Sequence, residues 1–189
     1  MSSNRKLFGT GIAVAAAGVI AVGLTVGTAY SQMKMPFGDK DSVAYSKSLW
    51  SSLEKAGLAG ASAKADKPYT GKKPHGAILE TITSEVSVGG HKGTVVVKRN
   101  YGGPGVSAAA VAKDRGKFIK AVTVMFKREA GYDKDNKDWF WVKYKPDGSL
   151  HTNPKGMMLA GRVAKGMDKG CIACHAAAAG GDYLFTNDK

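Results

Sequence analysis

The chain has 189 residues, a length that suits one domain of ordinary size together with a small additional segment. Its composition, with 43% hydrophobic and 23% charged residues, excludes wholesale disorder, and its two cysteines exclude a disulfide-rich secreted scaffold. Lysine and arginine together number 28 against 15 acidic residues, which gives a formal net charge of +13. The chain shows neither a collagen period nor a repeat of solenoid length.

An export segment is predicted over residues 1–30. Arg5 and Lys6 precede an uncharged apolar run over residues 7–30, and a positive start before an apolar core is typical of a secretory signal peptide. The small residues that end at Ala29 suit cleavage after that position. As an uncleaved helix, the run would span about 36 Å, enough to anchor the protein in a bilayer. Both alternatives place the rest of the chain in the periplasm.

Residues 31–74 are predicted to form a tether, a helix and a loop. Pro36 and Gly38 interrupt residues 31–40, which show no periodicity. Apolar residues at helical spacing predict a helix over residues 42–58, with Gly57 as its end. Breaking residues at positions 68, 71 and 74 predict a loop over residues 60–74.

Residues 75–189 are predicted to form the main domain, which is largely an antiparallel β-sheet. Runs rich in Val, Ile, Thr and aromatic residues predict strands over residues 77–88, 93–101, 118–129 and 139–144. Gly89 and Gly90 predict a hairpin between the first two strands, and a short helix is expected over residues 108–113. The predicted fold class is therefore α+β, a mainly antiparallel sheet with a few helices.

Both cysteines lie in one motif near the C-terminus, Cys171-Ile172-Ala173-Cys174-His175. The spacing Cys-x-x-Cys-His is that of a c-type haem attachment site. Two thiols at this spacing reach the two vinyl groups of one porphyrin, and the next residue supplies an imidazole to the iron. The sequence therefore predicts one covalently bound haem c, attached through Cys171 and Cys174, with His175 as the axial iron ligand.

Other uses of the two cysteines fit less well. A structural zinc site needs four protein ligands, and no second cysteine pair exists. A thioredoxin-like site is expected beside a βαβ unit, and a structural disulfide leaves His175 without a role. The predicted export segment also favours haem, because bacterial c-type haem is attached outside the cytoplasm.

The C-terminal position of the motif bears on the second axial position of the iron. No methionine or histidine follows His175, so a sixth ligand would come from upstream. The upstream candidates are Met157, Met158, Met167, His75, His91 and His151. We interpret the three methionines as apolar residues that pack against the porphyrin. His91 and His151 are interpreted as solvated residues near turns. His75 is the best candidate for a ligand, but it is interpreted as a polar residue at the start of a strand. We therefore expect a five-coordinate iron whose open distal site binds a small molecule.

Several further segments carry a family pattern. They are Lys73-Pro74-His75-Gly76 through Thr81, Gly93-Thr94-Val95-Val96-Val97-Lys98, Asp138-Trp139-Phe140-Trp141-Val142-Lys143-Tyr144 and Asp182-Tyr183-Leu184-Phe185-Thr186. With the cysteine motif, they make the chain resemble the cytochrome P-460 and cytochrome c′-beta family over about residues 42–188. The resemblance implies a mainly antiparallel β fold that is usually a homodimer. Cytochromes P-460 oxidise hydroxylamine and some act on nitric oxide, whereas c′-beta members bind nitric oxide or carbon monoxide at an apolar distal face.

Lys98 is a candidate catalytic residue through this resemblance. It occupies the position of a lysine that cross-links to the haem edge in the P-460 enzymes. Val96 and Lys98 share one strand face, so Lys98 faces the haem only if Val96 does. If Val95 and Val97 face inward instead, Lys98 is a solvated base. Both faces of this strand are apolar, so periodicity leaves the two alternatives open.

Glu80 is a weaker candidate, as a proton acceptor in the distal pocket. In the P-460 enzymes that pocket carries polar and charged side chains, whereas the matching strand here has Leu79. Glu80 itself is interpreted as a solvent-facing strand residue. The apolar Leu79 weighs against hydroxylamine turnover.

The predicted function is that of an exported monohaem c-type cytochrome. It would bind or oxidise a small nitrogen compound, hydroxylamine or nitric oxide, and pass electrons to another cytochrome. Its excess of basic residues predicts an acidic redox partner or a membrane surface, and no nucleic acid partner is expected. The alternative is a non-catalytic electron-transfer or gas-binding haem subunit of a membrane complex.

Overall fold

The structure is a computed structural model that describes residues 36–185 of the chain. The predicted export segment over residues 1–30 lies outside the described residues, as do the first part of the predicted tether and Thr186. Within residues 36–185, no helix is both long enough and apolar enough to cross a membrane.

A six-stranded antiparallel sheet forms the centre of the described region. Its strands are β1 (Tyr69–Thr70), β2 (Ile78–Val88), β3 (His91–Tyr101), β4 (Ile119–Lys127), β5 (Trp139–Tyr144) and β6 (Ala160–Gly161). They lie side by side in chain order. The α+β prediction is confirmed, and the four long strands begin and end within two residues of their predicted bounds. The sequence does not predict β1 and β6, because two residues are too few to show an alternating pattern.

The helices are short apart from the first. They are α1 (Lys40–Lys55), α2 (Ala108–Lys113), α3 (Arg115–Phe118) and α4 (Cys171–His175), with a 3-10 helix over Lys134–Asn136. Helix α1 begins after Asp39, whose carboxylate accepts the Ser42 N–H at 2.9 Å. It ends before Gly57, whose φ of 67° a glycine adopts without strain. Helix α2 has the predicted bounds.

The β2–β3 hairpin sets the register of the sheet centre. Gly89 and Gly90 have φ angles of 58° and 84°, as a two-residue turn between antiparallel strands requires. The pairing that starts at this turn places Thr81 opposite Lys98. Since paired residues of antiparallel strands lie on the same face of a sheet, the turn decides which side chains are neighbours.

The strand alternation divides the sheet into two buried faces. On one, which we call the helix-covered face, Val95 and Val97 belong to a cluster with Leu53 of α1. On the other, which we call the motif face, Val96 belongs to a cluster with Ile172 of α4. Strand β3 is therefore covered on both sides, which explains why its hydrophobic pattern is nearly continuous.

Candidate functional site

The cysteine motif forms the one-turn helix α4, which packs on the motif face through Ile172. Cys171 and Cys174 are three residues apart, a spacing that places two side chains on the same side of a helix. Both thiols are free of disulfide bonds, and Cys174 is exposed. Burial raises the pKa of the Cys171 thiol to about 11. The helix therefore presents a protonated thiol at Cys171 and an exposed thiol at Cys174 on one side, next to His175.

The His175 imidazole is oriented by a backbone carbonyl. Its Nδ1 lies 2.7 Å from the carbonyl oxygen of Tyr183. Because a carbonyl only accepts, Nδ1 carries the proton and the lone pair is on Nε2, the arrangement of a metal-binding histidine. The ring centre lies 4.9 Å from that of Trp141 and 5.2 Å from that of Phe185. These contacts fix both the tautomer and the position of the ring.

Tyr183 is itself held in an unusual conformation. Its φ of 62° is uncommon for a residue other than glycine. Its hydroxyl lies 3.2 Å from Asn136 Oδ1 and 3.3 Å from the Asp135 carbonyl oxygen, both acceptors. The loop before β5 thus holds the segment whose carbonyl orients His175.

His75 lies beside His175 on the motif face. The two ring centres are 6.2 Å apart, and the ring planes are inclined at 87°. The Nδ1 of His75 is 3.0 Å from Asn100 Oδ1. Burial and, to a smaller extent, the positive charge of Lys98 lower the pKa of His75 to about 4, so the imidazole is neutral at pH 7.

A row of four polar residues crosses the motif face near these histidines. Thr81, Lys98, Thr123 and Lys143 are successive partners on β2, β3, β4 and β5, and we call them the polar row. Lys98 is only 9% exposed. The positive charge of Lys143 contributes to the lowered pKa of His75 and opposes the rise that burial causes in the pKa of Cys171, so its ammonium group acts on His75 and on the motif together. The polar row therefore brings two cationic side chains to the motif.

The structure decides between the two alternatives for Lys98. Val96 packs toward the motif, whereas Val95 and Val97 pack toward α1. Because Lys98 has the same parity as Val96, it belongs to the motif face. Its burial excludes the alternative of a solvated base.

The interpretation of Glu80 as a solvent-facing residue is wrong. Its side chain is 0% exposed, and it pairs with Arg99 on the helix-covered face, away from the motif. Its carboxylate accepts hydrogen bonds from Arg99 at 3.1 Å, from Arg115 at 2.8 Å and from the Tyr101 hydroxyl at 2.6 Å. The fold thus uses Glu80 to neutralise two arginines and does not bring it to the candidate site.

The other upstream candidates for an iron ligand lie in different surroundings. His91 Nε2 is 3.0 Å from the Lys127 carbonyl oxygen, and His151 Nε2 is 3.4 Å from that of Lys120. Both residues are partly exposed to solvent, and the hydrogen bond of His151 lies at the surface. Met158 and Met167 are exposed, and Met157 packs against the cluster that contains Ile172.

Three residues of the site, Asn100, Lys143 and Tyr183, are not predicted as site residues from the sequence. Asn100 and Lys143 follow Lys98 and Trp141 by two residues each, so strand alternation could have placed them on the same face. Tyr183 carries no such signal, because its role depends on a carbonyl group and on a contact with a distant loop. Only the fold brings its carbonyl to His175.

The comparison with protein families bears on the whole site. The family model for cytochrome P460 matches residues 69–186, well over half of the chain. The chain belongs to the cytochrome P460 family. No curated protein and no solved structure matches it. Membership of the cytochrome P460 family confirms the resemblance and implies a haem cofactor.

The residues around the motif fit the haem that the cytochrome P460 family implies. The two thiols lie on one side of α4, and the tautomer of His175 presents a lone pair on Nε2. Among the described residues, Trp141 Nε1 is buried without a hydrogen-bond partner, so it can donate to a polar group of a cofactor. Lys143 carries a charge that suits a carboxylate of a porphyrin.

Proposed function

We propose that this member of the cytochrome P460 family is a monohaem c-type cytochrome that binds or oxidises a small nitrogen compound, hydroxylamine or nitric oxide, and passes electrons to another cytochrome. The observation that carries the proposal is the His175 imidazole, whose Nδ1 proton is held by Tyr183 next to two free thiols. The matched family supports the class of compound.

Each residue of the site has a role under this proposal. Bound haem supplies a coordination position and an electron acceptor for the nitrogen compound. Cys171 and Cys174 would hold the porphyrin through thioether bonds, and His175 would present Nε2 to the iron. Trp141 packs against the imidazole and restricts its rotation. Lys98 would lie at the haem edge, where the resemblance expects a cross-link.

The proposal extends to the location of the protein, its oligomeric state and its redox partner. We propose that residues 1–30 export the chain to the periplasm or anchor it there, and that the haem domain is a homodimer. The excess of 28 basic over 15 acidic residues supports encounter with an acidic redox partner.

Covalent haem can be tested by expressing the full chain in a bacterium that attaches c-type haem. We expect mass spectrometry to find one haem on the tryptic peptide that follows Lys169. The single variants Cys171→Ala and Cys174→Ala should each keep one thioether, and the double variant should keep none. His151→Ala should resemble the wild-type protein. A wild-type peptide without haem would contradict the proposal.

Turnover can then be measured on the wild-type protein. Hydroxylamine is added with an acidic cytochrome as the electron acceptor, and reduction of the acceptor is followed by absorbance. We expect reduction that depends on hydroxylamine and that weakens as the salt concentration rises, because opposite charges bring the partners together. Binding of nitric oxide without any reduction of the acceptor would restrict the function to ligand binding.

A further inference from the structure

His75 resembles His175 in the hydrogen bond that orients its ring. Asn100 Nδ2 donates to the carbonyl oxygens of Lys98 at 2.9 Å and Ala121 at 3.3 Å, which turns Oδ1 of the amide toward His75. Because Oδ1 only accepts, the Nδ1 of His75 donates to it, and the lone pair is on Nε2. A metal-binding histidine needs this tautomer and this kind of partner on its other nitrogen.

The separation of the two rings matches the space that one metal ion needs. An ion that binds two imidazole nitrogens at about 2.0 Å each holds the ring centres about 6 Å apart on opposite sides. The observed separation of His75 and His175 is 6.2 Å. A histidine that instead donates a hydrogen bond to a ligand on the metal ion would lie further from His175. The added distance would be roughly the 2.7 Å between donor and acceptor of that hydrogen bond.

The two remaining histidines do not share these features. In His91 and His151 it is Nε2 that lies against a backbone carbonyl, and neither ring packs against the motif. The combination of an oriented Nδ1 and a position beside His175 therefore distinguishes His75 from both.

We propose that His75 is the sixth ligand of the haem iron, on the side opposite His175, and that a small nitrogen compound has to displace it. The proposal rests on the haem attachment proposed above and replaces the expectation of an open distal site. His75 belongs to the turn before β2, so its release needs movement of that turn and leaves the sheet in place. The fraction of protein with His75 released then sets the apparent affinity for the ligand.

Electron paramagnetic resonance of the ferric holoprotein tests the ligation. We expect a low-spin signal in the wild-type protein, a high-spin signal in His75→Ala, and return of the low-spin signal when imidazole is added to that variant. His151→Ala should stay low-spin. His75→Met offers a different iron ligand at the same position, so it should be low-spin with a spectrum that differs from that of the wild-type protein. This variant replaces His75→Ala as the test if the alanine variant does not fold.

The outcomes separate this inference from the proposed function. A wild-type protein without covalent haem would overturn both. A high-spin wild-type protein that carries a full complement of haem would overturn the ligation by His75 alone. So would a His75→Ala variant that stays low-spin without imidazole, because the sixth ligand would then be another side chain.

Ligand-binding kinetics test the displacement. Carbon monoxide is mixed with the ferrous protein over a range of concentrations, and the observed rate constant is measured. In the wild-type protein it should level off at the rate of His75 release, whereas in His75→Ala it should rise linearly and exceed that limit at least tenfold. A linear dependence in the wild-type protein would overturn the proposal.

Discussion

The two faces of the central sheet bury their charges in different ways. On the helix-covered face, the Glu80 carboxylate accepts hydrogen bonds from Arg99 and Arg115, so acid and base meet within the protein. On the motif face, the polar row contains two lysines and no acid. The Glu80 group, in which the chain neutralises its own buried charges, serves the fold, whereas the two lysines of the polar row lie beside the haem motif.

The same contrast appears in the neutral groups beside the charges. On the helix-covered face, burial and a hydrogen bond to Glu80 raise the pKa of Tyr101, so its hydroxyl keeps its proton and remains a donor. On the motif face, burial and Lys98 lower the pKa of His75, so its imidazole remains a base. Burial therefore keeps both Tyr101 and His75 neutral. Of these two groups, it is the imidazole of His75, on the motif face, whose lone pair suits a metal ion.

Replacement of Glu80 should have the largest effect on stability. Glu80→Ala leaves Arg99 buried without its acid, and we expect the free energy of unfolding to fall by about 3–5 kcal/mol, measured with a chemical denaturant. Glu85→Ala is the matched control, because Glu85 pairs with Lys92 at the surface of the same hairpin and should cost at most about 1 kcal/mol. The haem spectrum of the folded Glu80→Ala protein should not change. Equal small losses in both variants would contradict the contrast between the faces.

Removal of the Tyr183 hydroxyl should have an intermediate effect. Tyr183→Phe loses its contacts with Asn136 and Asp135, at a cost of about 1 kcal/mol. A looser Tyr183 carbonyl should weaken the hydrogen bond from His175, which makes the imidazole a poorer donor to the iron. We expect the reduction potential to rise by no more than about 60 mV, the one-electron equivalent of a tenfold change.

Tyr132→Phe is the control for this prediction. Among the described residues, the Tyr132 hydroxyl is buried without a hydrogen-bond partner, so its removal should not lower stability. The potential should also stay constant, since Tyr132 does not contact the motif. A Tyr183→Phe protein with an unchanged potential would show that the carbonyl holds its position without the hydroxyl.

Replacement of Lys98 should have a small effect on stability and the most specific effect on the spectrum. Lys98→Met keeps the volume of a buried side chain and removes its charge, so the free energy of unfolding should change by less than about 1.5 kcal/mol. If Lys98 is cross-linked, the peptide that contains Lys98 should remain joined to the haem peptide after digestion of the wild-type protein. The Soret band of the ferrous protein should then lie far to the red. Both features should vanish in Lys98→Met and persist in Lys92→Met. Identical digests of wild-type and Lys98→Met protein would refute the cross-link.

Much of the architecture can be predicted from the sequence because it depends on local rules. The β-branched and aromatic residues of the four long strands favour extended backbone, and the pair Gly89 and Gly90 marks a two-residue turn. The spacing of Cys171, Cys174 and His175 is likewise a local requirement of one cofactor. Together with the family match, these features establish the class of fold and the implied haem without any coordinates.

Only the tertiary structure decides which side chains meet. Both sides of β3 are apolar, so alternation alone could not show whether Val96 or Val97 accompanies the motif, and the packing of α1 and α4 on opposite faces settles it. The same packing turns Glu80 away from the motif and brings His75, 100 residues earlier in the sequence, beside His175. Local preferences determine the conformation of each segment, whereas the choice of face depends on which other segments cover it.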